Sequence, residues 1–344
     1  MVAARPPMSR VIQRALGCAA GFVLLGCGAD DGDGGGDPQL PAPIEDLCPV
    51  PQAPVFDELP PGTTVRFTHP GEGAIEVGVG SADQTEPASW QASAELVLPQ
   101  EMGARVQVFA RTDPDCGDWF RHVYTLSDAF DPAAEIPGSR AVALDDPRIV
   151  GWASGWVSPV VYGDNVDETW RVPERALGPA EGGPSEIVGL GDGGAVTLTF
   201  DPPISDGPGD DLAVFENGVT DTFLELAFVE VSSDGRTFER FDAMTLQLGP
   251  VGDYGEVDPR GLSGLAGKYR QGFGTPFDLA LLVHRPAVRT RRLDLSRVTH
   301  VRIVDVVGDG SALDSFGRPI YDPHPTMGSG GFDLDAVAVL RASD

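Results

Sequence analysis

Short runs in which apolar and polar residues alternate dominate the chain from residue 64 onward. Residues 64–67 (TVRF), 74–79 (AIEVGV), 94–98 (AELVL), 105–110 (RVQVFA) and 122–126 (HVYTL) all carry period-two spacing, the pattern of strands with one face in a core. Turn-forming pieces such as Pro60-Pro61-Gly62 and Asp113-Pro114-Asp115 separate them. A second set follows. Residues 195–200 (AVTLTF) alternate strictly, and 212–215 (LAVF) are apolar throughout, as in a strand covered on both faces. Residues 228–232 (FVEVS) run into the turn Ser233-Asp234-Gly235, and 301–307 (VRIVDVV) and 336–340 (AVAVL) complete the set. Helical pieces are confined to a short stretch near 277–283. The pattern predicts an all-β protein: a small immunoglobulin-like sandwich over residues 48–128, then a larger jelly-roll-like β-sandwich over 129–344.

Composition agrees with that reading. The 344 residues include 44 Gly and 31 Pro, which disfavours long helices and supplies many turns. Acids outnumber Lys plus Arg by 52 to 24, for a formal charge of −28. Such a surface repels phosphate backbones, so nucleic acid is not an expected partner.

Residues 1–27 read as a targeting segment. Arg5, Arg10 and Arg14 form a basic start without any acid, and residues 15–25 are apolar but too few to span a bilayer. The stretch ends Leu24-Leu25-Gly26-Cys27 and resembles a bacterial lipobox, which implies lipidation of Cys27. Residues 28–47 open with the Gly-rich and Asp-rich GADDGDGGGDP, a composition suited to a flexible tether. Loss of the three arginines takes the mature charge from −28 to −31. By resemblance to Gram-negative lipoproteins, Gly28 in place of Asp after the cysteine points to the outer membrane, with the lipid as the only membrane contact. Cys18 leaves with the leader; Cys48 and Cys116 remain, an even pair in an oxidising compartment, and a disulfide is the expectation.

Within the larger unit the motifs become specific. In order they are LGDGG (190–194), LTFDPPI, DLAVFENG (211–218), VEVSSDGRTFERF, LAGKYR (265–270), GFGTPFDL, HVRIVDVVGDGS, FGRPIYDP and GGFDLDAV (330–337). Together, over roughly residues 145–341, they resemble a family of uncharacterised bacterial cell-surface and secreted proteins, many carrying PEP-CTERM-type anchors. The resemblance implies a β-sandwich at the cell surface and no particular activity; here a lipobox stands in place of the C-terminal anchor. The smaller unit is similar, more distantly, to immunoglobulin-like accessory modules.

Candidate chemistry is carboxylate chemistry. Asp305, Asp309 and Asp314 fall within ten residues, and Asp333 and Asp335 lie two apart where the last strand begins, so both point to one face. Calcium takes six to eight oxygens, and these five acids are the candidate ligands for a calcium ion; the alternative is that they make turns and caps. The spacing does not fit an EF-hand. Glu216 and Asn217 end an apolar strand and are candidates for an ion, a sugar hydroxyl, or a pairing with Arg270 or with Lys268, which is the only lysine. Trp152, Trp156 and Tyr269 are candidate stacking surfaces for a sugar ring, or core residues that seal the sandwich. No HExxH, GxSxG or Walker A motif occurs. The leading expectation is a lipid-anchored, non-catalytic module for a glycan or protein partner. The alternatives are an enzyme that acts on extracellular polysaccharide with Glu216 and a nearby Asp as paired carboxylates, and a purely structural envelope protein.

Overall fold

The computed structural model describes residues 42–44, 48–69, 71 and 73–341. Cys27, the leader and all of the tether except 42–44 lie outside the described residues. The chain is all-β. Its strands are β1 (Glu58–Leu59), β2 (Thr64–Arg66), β3 (Glu76–Ser81), β4 (Gln91–Ala92), β5 (Glu95–Val97), β6 (Arg105–Arg111) and β7 (Phe120–Leu126). Then come β8 (Val142–Ala143), β9 (Ile149–Trp152), β10 (Gly155–Trp156), β11 (Val188–Gly189), β12 (Ala195–Ile204), β13 (Leu212–Glu216) and β14 (Ala227–Ser232). The last are β15 (Glu239–Arg240), β16 (Met244–Thr245), β17 (Leu262–Ser263), β18 (Phe273–Phe277), β19 (Val298–Asp305) and β20 (Asp333–Leu340). Helical structure near the expected stretch is short, a 3-10 turn at Leu279–Leu282 followed by one turn of α-helix at Pro286–Arg289. Among the described residues no helix is long and apolar enough to cross a membrane.

The smaller sandwich sets a five-stranded sheet, in the order β1-β7-β6-β3-β4, against the pair β2-β5. Strand β1 runs parallel to β7 while the rest of that sheet is antiparallel, an immunoglobulin-like arrangement. Alternation fills its core: Val106, Val108 and Ala110 of β6, with Phe120 and Tyr124 beside them on β7, pack in one cluster with Val65 and Phe67. Cys48 and Cys116 are bonded, which ties the segment before β1 to the β6–β7 loop across 68 positions of sequence.

The larger sandwich has sheets in the orders β10-β12-β19-β14-β15 and β11-β20-β13-β18-β8, with β9 also paired to β20. The six main strands, β12, β13, β14, β18, β19 and β20, change sheet at every step, a jelly-roll-like crossing pattern. Val196, Leu198 and Phe200 of β12 point inward together with Val301 and Ile303 of β19, while Ala195, Thr197 and Thr199 sit nearer solvent. Strand β13 is buried on both faces because it lies between β20 and β18 and is covered a second time from outside. Its Leu212 and Val214 enter the main core, whereas Ala213 and Phe215 meet Val142, Ala180 and Trp152. That double burial explains the unbroken apolar run LAVF.

The described residues form one compact unit. Apolar packing continues between the sandwiches: Met244 joins the core of the smaller one, and Phe56 stacks on Phe316 with centroids 6.0 Å apart. Polar contacts agree, with the Val55 amide donating to Asp242 at 2.8 Å and Arg140 bridging Asp57 and Asp210.

Candidate functional site

The crossing topology delivers several strand ends to one end of the larger sandwich. Glu216 terminates β13, Glu225 precedes β14, Asp305 terminates β19, Asp333 opens β20, and Asp322 comes from the loop between the last two. All five are buried, Glu216 and Asp333 at 1% and 2% exposure. Burial pushes the Asp305 and Asp333 carboxyls up to about 7. It raises Glu216, Glu225 and Asp322 well above the ordinary carboxylate range, with neighbouring acids adding to the effect.

Backbone amides satisfy part of this cluster. Asp305 accepts from the Gly193 and Phe332 amides, each at 2.7 Å. Asp322 accepts from the Leu226 amide at 2.8 Å, and Glu216 Oε2 from the Gly218 amide at 2.6 Å. Glu225 accepts from the Thr326 hydroxyl at 2.6 Å, and Asp333 Oδ2 from the Asn217 amide nitrogen at 3.2 Å. Glu216 Oε1 and Asp333 Oδ1 are buried with no partner. The glycine-rich motifs follow from this crowding: Gly331 has φ +71°, and a Cβ there would stand 2.7 Å from Asp305 Oδ1. At the rim, Asp192 accepts from Asn165 at 2.7 Å and faces His324 at 3.6 Å.

The expected basic partners of Glu216 are engaged elsewhere. Lys268 Nζ lies 3.0 Å from Asp131 and donates to the Leu262 carbonyl at 2.9 Å. Arg270 pairs with Asp221 and Glu135. Among the described residues, none of the five buried acids has a Lys or Arg ion-pair partner.

Of the acids expected to share one ion, the structure brings Asp305 and Asp333 to this end, beside Glu216 and Asn217. Asp309 is exposed and accepts from the Ser311 amide. Asp314 accepts from the Thr245, Phe316 and Arg318 amides and pairs with the Arg318 guanidinium. Asp335 accepts from the Glu181 and Gly182 amides. The five therefore do not share one site. Tyr269 is 2% exposed, so its ring packs in the interior and offers no stacking face. Trp152 and Trp156 are half-buried and pack against the cores. The sequence reading placed Asp322 close behind the acidic loop and missed Glu225. A signal was present in Leu224-Glu225-Leu226, where an acid is held between two apolar positions.

The exposed aromatic face lies on the loops of this region. Tyr254 is 86% exposed and stacks on Phe223, centroids 6.4 Å apart and planes 26° apart. With Val219, Thr220, Thr222 and Glu256 they line an open depression of about 380 Å³. Phe223 belongs to the loop that joins Glu216 to Glu225, and the Val257 amide ties the Tyr254 loop to the Thr222 carbonyl at 2.8 Å. A larger hollow, about 720 Å³, opens at the junction of the sandwiches beside Met244, Arg66, Arg285 and Arg318. Those guanidiniums already pair with Glu95, Asp242 and Asp314, which leaves little free charge for a ligand. Asp206, Asp211 and Asp278 bring carboxylate oxygens within 4.8 Å of one another. However, Asp211 accepts from the Gly207 and Leu279 amides and Asp278 from the Ala280 amide, and none of the three has a buried oxygen without a partner.

Fold and site together define a two-sandwich, all-β protein with a closed acidic end and an aromatic rim. The chain matches no family model, and no curated protein matches it in sequence. Among solved structures, the secreted serine protease VesC from Vibrio cholerae is similar over 84% of this chain and 50% of its own, at 11% identity and TM-score 0.19. This chain thus spans half the length of that protease. A carbohydrate-binding module of the β-sandwich superfamily is similar over 88% of this chain and 94% of its own, at 10% identity and TM-score 0.18. Likenesses this loose carry no inference about what the present chain binds or cleaves.

Proposed function

We propose that the larger sandwich is a non-catalytic glycan-binding module, carried on the cell envelope by a lipid on Cys27 at the outer membrane. The observation that carries the reading is the exposed Tyr254–Phe223 pair over its shallow depression. A flat aromatic surface left in water suits the apolar face of a sugar ring. Catalysis fits less well. Glycoside hydrolysis needs two carboxyls that flank the substrate, and the acids with raised pKa here are buried and line none of the hollows described above.

The test is a polysaccharide panel in affinity electrophoresis with the full chain, followed by calorimetry on any hit. Tyr254→Ala is expected to weaken binding about tenfold, or about 1.4 kcal/mol, with the unfolding midpoint unchanged because the side chain is exposed. Equal binding by wild type and variant would remove this face from the reading. Retention of any hit across the panel by neither protein would leave the structural-envelope alternative in its place.

A further inference from the structure

We propose that the closed acidic end of the larger sandwich holds one hard divalent cation, bound by Glu216 and Asp333 with Glu225 completing the carboxylate set. Three observations converge. Five carboxylates from four chain segments are buried at one end with no Lys or Arg partner among the described residues. After every amide and hydroxyl there has been assigned, two oxygens remain unpartnered, Glu216 Oε1 and Asp333 Oδ1. These belong to neighbouring strand ends: Glu216 pairs in register with Leu334, and Asn217 donates to Asp333.

An isolated buried carboxylate is costly, and the cost is relieved by a counter-charge. Among the described residues no Lys or Arg supplies one, so the counter-charge comes from solution. The donors are oxygens, and among the described residues no hydrogen bond or ion pair joins a cysteine or histidine to Glu216, Glu225 or Asp333. This selects a calcium-like ion over a soft transition metal. Glu216, Glu225 and Asp333 do not bring oxygens within 4.8 Å of one another. The ion therefore draws these side chains together and completes its shell with carbonyl oxygens and water. Asp305 and Asp322, whose amide contacts are already made, add negative potential without ligating. The site is distinct from the aromatic face and does not depend on glycan binding.

The experiment uses the full chain, stripped with EDTA and dialysed. Thermal unfolding is followed against calcium chloride, with magnesium chloride and sodium chloride at matched ionic strength to remove general screening of a chain of charge −28. Expected is a saturable upward shift of several degrees with calcium beyond both controls, as follows from binding to the native state. Glu216→Gln and Asp333→Asn should each move the calcium midpoint at least tenfold. Terbium provides a readout that does not depend on the variants. Trp170 lies against this end, since a Cβ on Gly189 would stand 3.0 Å from Asp333 Oδ1 and 3.2 Å from the Trp170 Cβ. Tryptophan-excited terbium emission that calcium displaces, and that Trp170→Phe abolishes, is the expected result. A calcium shift no larger than that with sodium chloride, or terbium emission indifferent to Trp170→Phe, overturns the site; an equal shift with magnesium keeps the cation and removes the preference for calcium.

Discussion

Lys268 offers a sharp test of how the larger sandwich is held together. It is the chain's only lysine and is 4% exposed. Its Nζ sits 3.0 Å from Asp131, donates to the Leu262 carbonyl at 2.9 Å, and lies 5.9 and 5.7 Å from the Phe130 and Tyr269 rings. Lys268→Met keeps most of the volume and removes the charge. Loss of one member of a buried pair costs about 3–5 kcal/mol, because the other is left uncompensated. Asp131 is 22% exposed on its side chain and keeps the Tyr269 hydroxyl as a donor, so it rehydrates in part, and about 2–3 kcal/mol is expected. Glu58 adds to the penalty, since Lys268 offsets the burial and the Asp131 charge that raise its pKa. At about 2 °C per kcal/mol for a chain of this size, the midpoint should fall by about 4–6 °C. The assay is urea unfolding of wild type, Lys268→Met, Asp131→Asn and the double variant. The double variant should be more stable than the sum of the singles implies, by about 1–3 kcal/mol. A single-variant cost below about 0.5 kcal/mol, or strict additivity, would refute the buried-pair account.

Two further expectations concern other parts of the molecule. The Cys48–Cys116 bond closes a loop of 68 positions, so the double replacement by Ala should lower stability by about 4 kcal/mol, seen as faster amide exchange in β6 and β7. Asp278 lies near Asp57, Asp206, Asp210 and Asp211, with Arg140 lining the same hollow, and burial is the main cause that lifts its carboxyl to about 6. Its folded pKa exceeds the unfolded value of 3.8, so the protonated form stabilises the fold. That contribution is full below the unfolded value and is lost as pH rises through about 6. Asp278→Asn keeps an acceptor for the Ala280 amide and should gain about 1–2 kcal/mol relative to wild type between pH 4 and pH 8, read by denaturant midpoints at the two pH values. A constant difference across that range would refute it.

What the sequence made legible follows from how far each signal reaches. Strands β12, β13, β14, β19 and β20 carry five or more residues of period-two or fully buried pattern, and they stand where the pattern placed them. The edge strands β8, β11, β15, β16 and β17 have two residues each, too few to show any period. The parallel pairing of β1 with β7 joins positions 67 apart and is set by the topology, which local spacing does not encode. The same limit governs the site. Its acids were visible as Asp305 and Asp333 at strand ends, but Asp314 and Asp335 look identical in sequence and serve as caps for backbone amides instead. The partner of Lys268 lies 137 positions away, so its solitude in the composition was visible and its ion pair was not.

The raised carboxyl pKa values at the acidic end bear on the choice between binding and catalysis. A perturbed carboxyl in a cleft is the usual mark of a general acid. Perturbation has two sources, however, and only one of them serves chemistry. At Glu216, Glu225, Asp305, Asp322 and Asp333 the first cause is burial, with other acids of the same cluster adding to it. A general acid must also come within hydrogen-bond reach of a substrate oxygen, and the hollows beside Met244, Tyr254 and Asp278 are lined by other residues. The perturbation comes first from negative charge withdrawn from water. Amides solve that problem for Asp305 completely and for Asp322 in part. For Glu216 and Asp333 they do not, and this is why a bound cation, and not a reaction, is the expectation that the end of the sandwich supports.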